Sequence, residues 1–207
     1  QYVAEILNSE TKNILNIAYD AVADSNLNRN FLNYSRGVNT EYMMSEITDK
    51  FRYYLSLNQY ISECRYITSD ESYIIEQSYH SIGEYSGWNN IEFWENACEQ
   101  VLSADGAVIL AAEEITGKYT EEPSYYIGIP IMNGKEAVGE LFFGVSKSIF
   151  RDSSFVEKET MNEETPELLQ STQLLLVNNQ GIIIYATDTS MIGKKQVEYE
   201  QTYGLKD

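Results

Sequence analysis

Residues 124–146 read SYYIGIPIMNGKEAVGELFFGVS, and their pattern decides the fold. Tyr125, Ile127, Ile129 and Ile131 fall on one face of an extended strand, which marks a sheet with a buried side. Asn133-Gly134 then supplies the dipeptide most favoured in tight hairpin turns, because both residues tolerate positive φ. Glu136 to Ser146 returns as a second strand. The stretch is therefore a long antiparallel hairpin with an apolar face to cover.

Working outward toward the N-terminus, GAVILAAEEI reads as a third strand and IEFWENACEQVLS as a helix capped at Asn89 or Asn90. GEYSGWNN before it reads as a Gly/Asn-rich loop. NQYISECRYITSD and SYIIEQSYHS, joined by Asp70-Glu71, alternate with period 2 and read as two strands of a hairpin. Residues 58–150 thus give two strands, a helix and three strands. That is an α+β unit, a PAS-like antiparallel sheet of about five strands flanked by helices, with the helices expected on one face.

The first third carries the helical period. From Tyr2 to about Asn33 the apolar positions Val3, Leu7, Ile14, Ile17, Ala21 and Val22 recur at helical steps, predicting one long amphipathic helix. A stalk or a helix pairing with its copy in a dimer needs such length, and so does a helix folded back along its own domain. Asn39 or Thr40 is expected to cap a second helix through Leu57, with Met43 or Met44, Ile47, Phe51, Tyr54 and Leu55 inward. After the sheet, residues 151–171 are polar and acidic and read as a connector. LLLVNNQGIIIYATDTSMIGKK, residues 174–195, is a further hairpin with Gly181 at its turn and Gly193 near its exit. The expected organisation is helices over 1–57, a sheet lobe over 58–150, the connector, and the start of a second, smaller lobe over 172–207. That hairpin is marginal alone and should pack on the first lobe or lean on another copy.

Composition narrows the function. Thirty-two acidic against 14 basic residues give a formal net charge of −18, which repels nucleic acid and anionic lipid. Seventeen tyrosines, beside 7 Phe and 2 Trp, suit pockets and wet interfaces, or reflect a genome that favours Tyr throughout. The chain begins at Gln1 rather than Met, and no apolar run of about 18 residues is present to span a bilayer. A segment excised from a larger protein fits both observations. Cys64 and Cys98 allow a disulfide or two reduced core thiols. The one histidine, His80, sits in a loop-like context with no local partner for a dyad.

No phosphate-binding loop, nucleophile elbow, HExxH or paired Cys/His zinc spacing occurs, so no catalytic residues, cofactor or metal are expected. Glu113-Glu114, Glu121-Glu122 and Glu163-Glu164 read as solvated acidic faces rather than cation loops. The informative cluster is aromatic: Tyr85, Trp88, Phe93 and Trp94 lie within ten residues at a loop-to-helix junction. Such rings either pack in the core or line a cleft. Phe93 is the first choice for the core and Trp88 for a pocket.

In the order given, these motifs resemble the extracytoplasmic Cache sensor domains of bacterial chemoreceptors, sensor histidine kinases and membrane-anchored transcription regulators. The resemblance rests on YISECRYITSDESYIIEQSY as the first hairpin and on the pattern at Trp88, Phe93, Trp94 and Ala97. It rests also on IPIMNGKEAVGELFFGVS and on LLLVNNQGIIIYATDTSMIGKK as the opening of a second, membrane-proximal lobe. It implies a small-molecule site with Tyr85, Trp88, Phe93, Trp94, Tyr126 and Ser146 as candidate contacts. Amino-acid-binding Cache domains hold the ligand carboxylate with an Arg and its ammonium with an Asp. The matching positions here are Ile91 and Ser146, so the resemblance implies a ligand other than a free amino acid, such as a saccharide or peptide fragment. It further implies a homodimer through the N-terminal helix and a membrane-anchored parent at the extracellular face. The competing expectation is a surface or assembly module of PAS-like fold, with every ring in the core.

Overall fold

A computed structural model describes residues 2–69, 74–78, 82–85, 91–112, 123–150, 175–178, 180–186 and 189–203. The N-terminal helical pattern folds as two helices rather than one, α1 (Tyr2–Ala23) and α2 (Ser25–Ser35). Asp24 makes the break. Its backbone is extended, and its carboxylate accepts from the amides of Asn26 and Leu27, capping α2. Apolar periodicity runs on across such a cap, which is why the pattern alone reads as a single helix. Gly37 and Asn39, both with positive φ, then turn the chain into α3 (Thr40–Leu57). Asn39 stands at the cap position, yet it contributes its left-handed backbone and not the side-chain bond expected of it.

Lys50 of α3 donates to the other Asp24 oxygen at 2.9 Å. This bond lowers the Asp24 pKa below the usual carboxylate range, against burial, which raises it. With the folded pKa below the unfolded one, the stabilisation is present above about pH 4 and fades as pH falls through the folded value. Asp24→Ala should cost about 1–2 kcal/mol by urea unfolding at neutral pH. The gap between wild type and variant should close in strong acid.

The sheet is built from β1 (Ile61–Thr68), β2 (Ile74–Ser78), β3 (Ile82–Tyr85), β4 (Val108–Ala111), β5 (Pro123–Asn133) and β6 (Glu136–Ser146), with α4 (Ile91–Ser103) between β3 and β4. Its order is β3-β2-β1-β6-β5-β4, with every neighbouring pair antiparallel. The expected count of about five becomes six. The added strand is β3, four residues partly inside the presumed loop, too short and glycine-containing to show alternation.

Helices cover both faces, not one. On the first, Leu7, Ile14, Phe31, Ile47 and Phe51 pack against Tyr66, Tyr125, Ile127, Leu141 and Phe143. On the second, α4 sets Trp94, Ala97, Cys98 and Val101 on Ile67, Val108, Leu110, Tyr126 and Phe142. The run from Tyr125 to Ile131 does face the first core as its spacing indicates, while the intervening Tyr126 is buried by α4. Cys64 and Cys98 sit in different cores with the sheet between them, and they form no disulfide. Burial pushes the Cys64 thiol well up.

At the sheet's middle, Gly139 of β6 lies opposite Thr68 of β1. A Cβ there would strike the Ile67 carbonyl oxygen and come within 2.6 Å of the Tyr66 ring. The Tyr66 hydroxyl donates to the adjacent Val138 carbonyl at 3.0 Å.

The last hairpin, β7 (Leu175–Val177) and β8 (Ile183–Ala186), forms a two-stranded sheet of its own. Gly181 has φ +76 at its turn, and a short helix α5 (Gln196–Tyr203) follows. Ile183, Ala186, Met191 and Tyr199 make a third, small core. The hairpin packs on the larger unit: the Tyr185 ring stacks on Phe150 with centroids 3.7 Å apart, and Ile184 joins the first core. Among the described residues no helix is long and apolar enough to cross a membrane.

Candidate functional site

Helix α4 positions the chemistry on the second sheet face. Its spacing of Trp94, Ala97, Cys98 and Val101 aims one stripe at the strands. Trp94 is 1% exposed, edge-on to Tyr126 and Phe142 at centroid distances of 5.0 and 5.2 Å. The Arg65 guanidinium carbon lies 4.1 Å from the centre of the Trp94 ring. Arg65 also faces the Glu63 carboxylate at 3.6 Å, and strand alternation puts the buried Glu140 on the same side as Phe142. Two carboxylates and one guanidinium thus lie on an otherwise apolar face, where charges persist only with partners.

Three of the six candidates come together here. Phe93 and Trp94 are 5.0 Å apart, and Tyr126 lies 5.9 Å from Phe93. Their roles in packing are reversed from the expectation for Phe93: Trp94 is enclosed, whereas Phe93 is half-buried at the rim. Tyr85 belongs to β3, at the sheet edge opposite the one where β4 lies, four strand positions from the β5 residue Tyr126. Ser146 ends β6, and its hydroxyl is engaged locally, accepting from the Ser148 amide at 3.1 Å and bonding the Ser148 hydroxyl at 3.0 Å. Trp88 lies outside the described residues, as do Asn89, Asn90, His80, the connector and the three acidic pairs.

Beside this packed face a cleft of about 540 Å³ opens between three elements. One wall is α4, through Phe93, Asn96, Ala97 and Gln100; the floor is β4 and Ala112. The far wall is the last hairpin, through Asn178 and Ile182, together with Ile192 and Gly193 of the turn that follows it. Asn178 fixes that wall: its Oδ1 accepts from the Gln180 and Ile182 amides, and its Nδ2 donates to the Ile109 carbonyl at 2.9 Å. Of the lining residues only Phe93, Ala97 and Gly193 stood out in the sequence, none of them as part of a cleft. The walls are some seventy to a hundred residues apart in the chain, and only the Asn-Asn-Gln-Gly turn hinted at one of them. Among the described residues no three His, Cys, Asp or Glu side chains converge as a metal site.

Neither a protein-family model nor a curated protein matches the chain. Solved structures do match. The Campylobacter jejuni chemoreceptor Tlp3 sensory domain with isoleucine bound aligns over 97% of this chain and 82% of its own, at 10% identity and a TM-score of 0.51. The ligand-binding domain of the Pseudomonas fluorescens chemoreceptor CtaA with L-serine aligns over 97% and 77%, at 10% identity and 0.51. The extracellular domain of vpHK1S-Z8, assigned as a histidine kinase, aligns over 92% and 68%, at 16% identity and 0.53. The chain has the fold of chemoreceptor sensory domains. At these identities the sensory-domain likeness concerns architecture: a sheet with long helices on one face and α4 on the other.

Proposed function

We propose that the chain is the extracytoplasmic ligand-sensing part of a membrane-anchored signalling receptor, without catalysis of its own. The observation that carries this reading is the position of β5 between two layers. Tyr126 packs under α4, while the neighbouring Tyr125 faces α1 and its hydroxyl is bonded to the Thr11 hydroxyl at 2.8 Å. A ligand that shifts α4 against the sheet therefore moves the strand that holds α1. Helix α1 then carries the displacement, against its copy in a homodimer, toward the membrane. Such switching needs a ligand with unequal affinity for the two arrangements.

The ligand in this reading is a small molecule other than a free amino acid, since Ile91 offers no counter-charge to a carboxylate and the Ser146 hydroxyl is already engaged. One observation favours the opposite. Glu63, Arg65 and Glu140 beside Trp94 supply both signs of charge, as a zwitterion requires, and Tlp3 and CtaA were crystallised with isoleucine and L-serine. A thermal-shift screen of sugars, peptides, organic acids and the common amino acids, followed by calorimetry, separates the two. A ligand at about 100 times its Kd stabilises the native state by about 2.7 kcal/mol, a rise of roughly 5–10 °C for a chain of this size. The expected hit is not an amino acid. Micromolar binding of one would establish the zwitterion reading, and silence across the whole screen would leave the assembly module in its place.

A further inference from the structure

We infer that the cleft between α4, β4 and the β7–β8 hairpin is a binding site for an uncharged, hydrogen-bonding molecule of sugar size. This goes beyond the sensor reading, which does not specify the cleft. Its volume of about 540 Å³ falls within the range of about 300–1,000 Å³ usual for small-ligand pockets. At the aromatic centre of the α4 face Trp94, Tyr126 and Phe142 are buried and pack edge-on against one another, with Trp94 meeting both of the others. The open volume is displaced toward the sheet edge.

The lining chemistry selects the ligand class. None of the described residues that line the cleft is ionisable, in a chain with a formal net charge of −18. A charged ligand would find no counter-ion on these lining side chains, whereas a neutral one needs none. Polar recognition comes from carboxamides. Asn96 and Gln100 stand one turn apart on α4, with Gln100 Nε2 donating to Asn96 Oδ1 at 3.1 Å. That bond aligns an amide donor and a carbonyl acceptor, a pair that hydroxyl groups satisfy in either sense. Among the described residues strand β4 is the sheet edge, and of its outer backbone groups the Ile109 carbonyl is taken by Asn178. The half-buried Phe93 ring adds an apolar face against which the C–H side of a sugar ring can lie. A molecule seated there touches α4 and the hairpin at once, above the bond that ties the hairpin to β4 through Asn178 and Ile109.

The test is calorimetry on the full chain with D-glucose, N-acetyl-D-glucosamine and maltose as neutral probes, and D-glucuronate and D-glucosamine as charged counterparts. At least one neutral probe should bind saturably, and the charged counterparts about ten-fold or more weakly. Gln100→Trp, which fills the cleft from a half-buried helix position, should abolish that binding. Asn96→Asp, at an exposed position, should weaken it about ten-fold while leaving the melting temperature of the unliganded chain unchanged. The inference is overturned if binding survives both variants, if the charged probes bind as well as the neutral ones, or if no probe binds at millimolar concentration. A ligand that ignores both variants removes this site and leaves the sensor reading standing. A sugar held here with no effect on signalling by the parent receptor does the reverse.

Discussion

Trp94→Ala should lower the stability of the chain by about 3–5 kcal/mol, the range for deleting a fully enclosed large aromatic side chain. The ring is 1% exposed and shares edge contacts with Phe93, Tyr126 and Phe142. Its removal also strips the Arg65 guanidinium of its aromatic platform, leaving a charge on an apolar sheet face. Chemical denaturation measures the first effect, and it should appear thermally as a fall of roughly 6–20 °C. Phe93→Ala, one residue away at the rim, should cost clearly less. If the two variants were equally mild, Trp94 would not be the centre of the second core.

Gly139→Val should be the most damaging single substitution in the sheet. The obstacle is backbone: a Cβ at 139 meets the Ile67 carbonyl oxygen, part of the β1–β6 pairing itself, as well as the Tyr66 ring. Rings can rotate away, but a strand carbonyl cannot move without parting the two central strands. Overpacking usually costs about 1–3 kcal/mol, and a collision with main chain in the middle of a sheet belongs above that range. The variant should therefore be largely unfolded by circular dichroism, with Gly139→Ala intermediate. A well-folded Gly139→Val would mean that β1 and β6 do not approach as closely as the structure has them. Gly134, with no atom near its missing Cβ, provides the contrast: its constraint is the turn's positive φ alone.

Features written in local spacing were legible from the sequence, and those written in long-range packing were not. The hairpin of β5 and β6 was readable because alternation and Asn133-Gly134 both sit within a single stretch. The cap at Asp24 was hidden, since the apolar period of α1 continues into α2 and only a side-chain bond to Asn26 and Leu27 marks the break. Strand β3 was missed because four residues containing Gly83 cannot display a period. At the site, an aromatic cluster around α4 could be foreseen from Phe93 and Trp94, but not which ring would be enclosed. That depends on Tyr126 and Phe142, supplied by strands that follow much later in the chain. The cleft was out of reach for the same reason. Asn96, Ile109 and Asn178 acquire a common meaning only after the sheet has brought α4 and the last hairpin together.

Asn178 also has a bearing on how the folded chain behaves in a crowd. An uncovered strand at the border of a sheet invites another molecule to add a strand of its own, the first step toward aggregation. Here the carbonyl of Ile109, midway along that border, is already taken by the Asn178 amide, and the hairpin that carries Asn178 stands in the path of an incoming strand. The same side chain shapes the turn that presents it, through Gln180 and Ile182. One asparagine thus obstructs strand addition at the β4 border of the larger sheet, so the small hairpin that carries it guards an edge as well as lining a cleft.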